Sequence, residues 1–113
     1  MDKPRITIEQ FSTIETKVGI VMSAERVPET DKLLRLVVDF GEEKGPRQII
    51  SGIAAYVAEP SSLLGRQLVF VTNLEPRTIK GLESDGMLFA VGTGETFAFL
   101  TPDRSVPPGT AAH

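Results

Sequence analysis

Arg77 and Lys80 stand three residues apart in the stretch Asn73-Leu74-Glu75-Pro76-Arg77-Thr78-Ile79-Lys80-Gly81-Leu82-Glu83-Ser84-Asp85-Gly86-Met87. Arg and Lys neutralise phosphate oxygens. The Asn73 and Ser84 side chains beside them can donate to and accept from base edges and 2′-hydroxyls. Arg35, Arg47, Gln48 and Ser51, of the same chemical kinds, lie upstream. Together they could form a face that grips nucleic acid. The stretch leaves one apolar run, Gln67-Leu68-Val69-Phe70-Val71-Thr72, and enters another, Met87-Leu88-Phe89-Ala90-Val91. Pro76 fixes its own φ and biases Glu75 away from helix, and Gly81 and Gly86 permit angles that a Cβ forbids. This predicts a shaped loop between two buried strands, where function tends to sit on a β scaffold. An ordinary charged hairpin loop is the competing reading.

Other chemistry lacks its parts. The 113 residues include no cysteine, and the one histidine is the terminal His113. Disulfides, thiolate metal sites and the Ser-His and Cys-His nucleophile pairs therefore lose their usual members. Gly92-Thr93-Gly94 begins like a dinucleotide loop, but Phe97 stands where the third Gly belongs and Ala98 to Pro102 does not open a helix. The Glu42-Glu43 pair reads as solvated turn. The expectation is a binding module with no cofactor, not an enzyme. A net charge of −3 and a pI near 5.1 argue against coating nucleic acid by bulk charge. A basic groove must be assembled by folding. No apolar run approaches the roughly 20 residues of a membrane helix, and Met1-Asp2-Lys3-Pro4-Arg5 lacks the apolar core of a secretory signal. A cytoplasmic protein with no membrane partner is expected.

The elements that must position these residues follow from periodicity. Thr7 with Gln10 reads as a capping box, opening a short helix that plugs Ile8 and Phe11 against the core. Thr16 to Arg26 alternates, with Val18, Ile20, Met22 and Ala24 on one face, and Gly19 suggests a bulge or bend. Leu33 to Phe40, with Leu34, Leu36, Val38 and Phe40 on one face, and Arg47 to Gly52 read as a hairpin across a Gly/Pro turn. A short helix over Ile53 to Val57 and a turn at Pro60 to Gly65 precede a fourth strand, Gln67 to Asn73. This strand is apolar on both faces and so central. Met87 to Val91 is the fifth strand, and the Pro-rich end closes the chain as turns. Five strands with a helix between the third and fourth is the order of an OB-fold barrel. The expectation is an all-β, single domain over residues 1–113, with the barrel over about 14–92 and a C-terminal extension over about 93–113. Phe97 and Phe99 in that extension either cover the barrel or make a subunit interface. Tyr56 and Phe89, the few aromatic candidates for base stacking, read better as core.

Three ordered segments carry a family resemblance: Asp31-Lys32-Leu33-Leu34, Arg47-Gln48-Ile49-Ile50-Ser51-Gly52-Ile53-Ala54, and Asn73 to Arg77 with Ser84-Asp85-Gly86-Met87. They resemble the tRNA-binding domain family. That family includes the C-terminal appendix of bacterial methionyl-tRNA synthetase, stand-alone tRNA-binding proteins and a secretion-chaperone-like branch. The resemblance runs from about Ile8 to Thr110. It implies an OB-fold, tRNA binding with little sequence preference, no cofactor, a homodimer through the C-terminal extension and a possible synthetase partner. By matching position, the RNA-contacting residues it implies are Lys32, Arg47, Gln48, Ser51, Asn73, Arg77, Lys80, Ser84 and Met87, to which the β-face reading adds Arg35. Two other functions compete on the same fold: a chaperone whose groove accepts extended polypeptide, and a dimerisation domain.

Overall fold

The computed structural model describes residues 2–113. Thr7 opens α1 (Ile8–Phe11) with the expected capping box. The Gln10 N–H donates to Thr7 Oγ1 at 3.1 Å, and the Thr7 N–H donates to Gln10 Oε1 at 2.8 Å. The expected plug does not form: Ile8 is 72% and Phe11 50% exposed. Asn73 holds this segment by its backbone instead. Its Nδ2 donates to the Thr13 carbonyl at 2.7 Å, and its Oδ1 accepts the Glu15 N–H at 2.9 Å.

Alternating apolar residues then lay down β1 (Thr16–Arg26), β2 (Leu34–Asp39), β3 (Arg47–Ser51) and β4 (Gln67–Val71). They pair antiparallel in the order β3-β2-β1-β4, and β7 (Met87–Leu88) follows β4, which is central as expected. Leu34, Leu36, Val38 and Phe40 fill the interior, as their shared pleat predicts, with Val21, Ile49, Leu63, Leu68 and Phe70. At Gly19 β1 passes so close to β2 that a Cβ would collide with Val38 and Phe40. The bulge lies further along, where the register slips between Val21 and Ser23. That slip reverses the alternation. Gly19 and Val21 face the interior ahead of the slip and Ala24 packs on the core after it, so the face expected for Val18, Ile20, Met22 and Ala24 is not continuous, and Met22 is 55% exposed.

Beyond β4 the chain departs further from a plain five-strand reading. Asn73 to Ser84 holds a hairpin, β5 (Arg77–Ile79) against β6 (Leu82–Ser84), turned by Lys80 and Gly81 at φ of 51° and 79°. Two consecutive positive φ values match a type I′ turn, which suits the twist of the flanking strands. The expected fifth strand is split at Phe89 into β7 and β8 (Ala90–Val91), and β8 pairs with β9 (Ala98–Phe99). β10 (Ala111–Ala112), past the expected turns at Thr101 to Arg104 and Pro107 to Gly109, pairs with Thr16 and Lys17 of β1. Ala54–Tyr56 and Pro60–Leu63 are short 3-10 turns between β3 and β4. Phe97 stacks on Tyr56 at 4.2 Å and meets Phe99 edge-on at 5.1 Å, and both phenylalanines pack on the barrel core. Of the two roles open to that pair, covering its own barrel is the one observed.

The five barrel strands nearly close into an OB-like, all-β fold. The seam lies between β3 and the corner Ser84-Asp85-Gly86. The Asp85 N–H donates to the Gln48 carbonyl at 2.9 Å, and the Ile50 N–H donates to Ser84 Oγ at 3.0 Å. That hydroxyl donates onward to the Gly86 carbonyl at 3.2 Å. A side-chain oxygen thus stands in for a strand carbonyl, and Ser84 is 2% exposed. Arg47 braces the same corner. Its Nε and Nη2 fork onto Glu42, each at 2.8 Å, its Nη1 donates to the Thr72 carbonyl at 2.7 Å, and Asp85 lies 3.8 Å away. Such a fork fixes geometry as well as charge. Glu42 is therefore the partner of a buried cation, not the solvated turn acid expected. The Arg47 hydrogen bond holds the Glu42 carboxyl below its ordinary 4.5, against the opposing pull of burial. Glu15 is lowered too, chiefly by the Thr72 hydroxyl, which donates to it at 2.6 Å.

Ser84→Ala strands the Ile50 N–H at the seam, and a buried donor without a partner costs about 1–3 kcal/mol. The urea midpoint should fall accordingly; an unchanged midpoint would show that the seam does not need the hydroxyl. On the acid side, a carboxyl with a lowered folded pKa contributes stability that is complete above its unfolded value and lost as pH falls through the folded one. Glu42→Gln should therefore be less stable than wild type at neutral pH, and the gap should shrink as pH drops below 4.5. A gap that stays constant across a pH series of urea titrations would remove Glu42 from this account.

Candidate nucleic-acid interface

Three of the expected cations stand apart from the seam. Lys32 in the β1–β2 loop, Arg77 at the start of β5 and Lys80 at the hairpin tip are exposed. Among the described residues, none of the three side chains enters an ion pair. Lys32 and Lys80 come together on one cleft of about 370 Å³, which Leu33, Ile79, Glu29, Thr30 and Asp31 also line. Separate elements supply its two sides. The β1–β2 loop is closed at its base by the Val27 N–H on the Leu33 carbonyl at 3.1 Å, and braced by the Ala54 N–H on the Lys32 carbonyl at 3.0 Å. The I′ turn of the hairpin carries Lys80 to the opposite side.

The floor expected for this groove does not assemble. The β2–β3 register sets Leu34 opposite Ser51, Leu36 opposite Ile49 and Val38 opposite Arg47. Arg47 and Ser51 thus share the inward pleat with the core, whereas Arg35 and Gln48 project from the other side. Arg35 is half-buried; its Nε donates to Gln48 Oε1 at 2.6 Å, and its Nη1 pairs with Glu25 at 3.0 Å. Gln48 Nε2 donates to the Glu83 carbonyl at 2.8 Å. A second cleft of about 340 Å³ gathers Lys44, Pro46, Arg47, Gln48, Glu83 and Asp85 and shares no residue with the first.

Five of the expected contact residues therefore have polar atoms engaged by the protein's own chain. Arg47 is 9% exposed and braces the corner, Gln48 and Ser84 tie the seam, Arg35 bonds Gln48 and Glu25, and Asn73 pins the segment before β1. Arg47 and Ser84 supply a donor and an acceptor where the closing barrel excludes water, whereas Gln48 and Asn73 make their bonds at the surface. Ser51 is half-buried at the end of β3 and does not cap the following turn, whose N-cap is Ile53. Met87 is exposed on β7 opposite Val71. Phe89, expected in the core, is exposed where the strand splits. Tyr56 is committed to the Phe97 stack, and its hydroxyl accepts the Gly94 N–H at 3.3 Å. Sequence reasoning missed Glu29, Thr30, Asp31, Leu33 and Ile79 as cleft residues. The polar segment Val27 to Lys32 was legible as a loop, but not as one side of a site. Among the described residues, no three His, Cys, Asp or Glu side chains gather as a metal group.

Comparison with known proteins places the chain in a family. The family model described as "Putative tRNA binding domain" matches residues 16–111. The chain is 48% identical over 108 residues to a methionine–tRNA ligase of Methanothrix thermoacetophila, a match covering 96% of this chain and 16% of that protein. It thus spans a small part of the length of such curated relatives. Among solved structures, a MetRS-related protein from Pyrococcus horikoshii superposes with a TM-score of 0.88 at 34% identity, covering 98% of this chain and 100% of that one. The chaperone CsaA from Bacillus anthracis superposes with a TM-score of 0.83 at 30% identity, covering 97% and 100%. With a family match over residues 16–111, and relatives 48% and 34% identical over nearly the whole chain, the chain belongs to the tRNA-binding domain family.

Proposed function

We propose that this chain is a non-catalytic module that binds tRNA in the cytoplasm, alone or as an appendix of methionyl-tRNA synthetase, with no cofactor. The observation that carries this reading is the cleft: Lys32 and Lys80 reach it from separate elements with no ion-pair partner among the described residues, and Arg77 lies on the same hairpin. The similarity to methionine–tRNA ligases supports it. No helix among the described residues is long and apolar enough to cross a membrane. Lys32, Arg77 and Lys80 supply phosphate contacts, while Arg35, Ser51 and Met87 flank them. Arg47, Gln48, Asn73 and Ser84 act by positioning the hairpin and the strands beneath it.

Few phosphate contacts on a chain of net charge −3 mean modest affinity that salt erodes steeply. Lys32→Ala, Arg77→Ala and Lys80→Gly, the last chosen because Gly suits the positive φ, should each flatten the salt dependence of tRNA binding by up to about one unit. The triple variant should nearly abolish binding while the melting temperature holds. Titrations of labelled tRNA at several salt concentrations read this directly. A triple variant that binds like wild type, with the same slope, would overturn the reading. It would favour a groove for extended polypeptide, in line with the similarity to the chaperone CsaA.

A second reading concerns self-association. Phe97 and Phe99, the residues expected to pair, pack on their own barrel and are half-buried there. The exposed apolar residues gather instead before β1, at Ile6, Ile8, Phe11 and Ile14, and Leu74 follows the Asn73 that pins this segment. We propose that two copies meet there, since a two-fold contact buries the same apolar patch on both. Sedimentation at micromolar concentration should show a dimer for wild type and a monomer for Ile8→Asp/Phe11→Asp. A monomeric wild type, or a dimer that survives the double change, would end this reading.

A further inference from the structure

Two non-glycine residues among those described hold a positive φ: Glu29 at 64° and Lys80 at 51°. Both line the same cleft, from opposite elements. Residues kept in that region are strained and persist where the surrounding structure fixes them, commonly at binding sites. Gly or Asn would suit either position better. The cleft also carries unpaired charges of both signs. Glu29 and Asp31 face it together with Lys32 and Lys80, yet no ion pair joins any two of these four side chains.

That mixture selects the ligand. Two carboxylates and two ammonium groups suit a ligand that carries both hydrogen-bond donors and negative charge. Leu33 and Ile79 are half-buried and offer aliphatic surface against which a flat ring can lie. Carboxylates accept from an exocyclic amine such as the N4 group of cytosine. Lysines take the phosphates on either side. A volume of about 370 Å³ lies at the small end of ligand pockets.

We propose that this cleft receives one unstacked nucleotide whose base bears an exocyclic amino group. Glu29 and Asp31 accept from that amine, and Lys32 and Lys80 hold the flanking phosphates. The proposal rests on the tRNA-binding reading and deepens it, giving a base preference to a module whose phosphate contacts alone would show none. Single-stranded loops and ends of a folded RNA are where such bases are splayed out. The two sides of the cleft are preorganised by the Val27–Leu33 and Ala54–Lys32 backbone bonds and by the hairpin turn, so little ordering cost falls on binding.

The test compares labelled oligocytidine and oligouridine of equal length by fluorescence anisotropy at low salt. Their backbone charge is the same, so any difference reads the base. Wild type should bind oligocytidine about tenfold tighter, the scale of one base-edge discrimination. Glu29→Gly/Asp31→Ala, in which Gly relieves the positive φ at position 29, should keep its melting temperature and bring the two oligomers within about twofold. Lys80→Gly should weaken both oligomers equally. Equal binding of the two by wild type, no binding of either, or a preference that survives Glu29→Gly/Asp31→Ala would overturn the proposal. A parallel titration of tRNA separates the two readings: lysine-dependent tRNA binding in those cases leaves the tRNA reading standing, whereas its absence removes both.

Discussion

A guanidinium held inside the rim of the barrel governs the rest of this structure. Arg47 lies on the inward pleat of β3, beside Ile49 and over the ring of Phe40 at 5.4 Å. A cation there is costly unless its donors are met. They are met by Glu42 from the β2–β3 turn and by the Thr72 carbonyl at the end of β4, with Asp85 at the seam corner adding charge. Thr72 and Asp85 belong to segments distant in sequence, so satisfying one side chain fixes where the last barrel strand turns against β3. Thr72 in turn holds Glu15, and Asn73 next to it holds Thr13, so the chain before β1 is tied to the same corner.

From that corner the hairpin follows. β5 runs out to the tip and β6 runs back into the seam, and the I′ turn sets Lys80 across from the β1–β2 loop. The polar residues of the chain divide by burial. Those at the seam close a barrel whose ladder would otherwise leave Ile50 without an acceptor. Those at the hairpin tip and the facing loop have no such work and remain open to a ligand. An acidic chain can thus present cations locally: many of its carboxylates lie elsewhere, and those in the cleft leave the lysines unpaired.

Periodicity made the barrel legible. The alternation in β2 and the apolar run of β4 identify residues that must leave water, and their burial follows with little freedom. The capping box at Thr7 was legible for a related reason, since it is closed between neighbours in sequence. Family motifs pointed to Lys32, Arg77 and Lys80 on grounds that composition could not supply. The face of β1 was misread because one bulge shifts every later side chain: Val21 faces the core before it and Ala24 after it, and no local signal marks where the slip occurs.

By itself, then, the sequence determined the four long strands β1 to β4, the core face of β2, and that the chemistry available is recognition by Arg, Lys, Asn, Gln and Ser. Only the tertiary structure decided which of those side chains the chain itself holds and which it leaves to solvent. Arg47 and Arg77 are the same residue type in comparably polar settings, yet one meets a carboxylate from its own chain and the other meets solvent. The distinction depends on Glu42, Thr72 and Asp85 arriving at one place, and on Glu29 and Lys80 arriving at another. Partners separated by tens of residues are brought together only by barrel closure, and the energy of a polar side chain depends on that partner and on the water excluded around it.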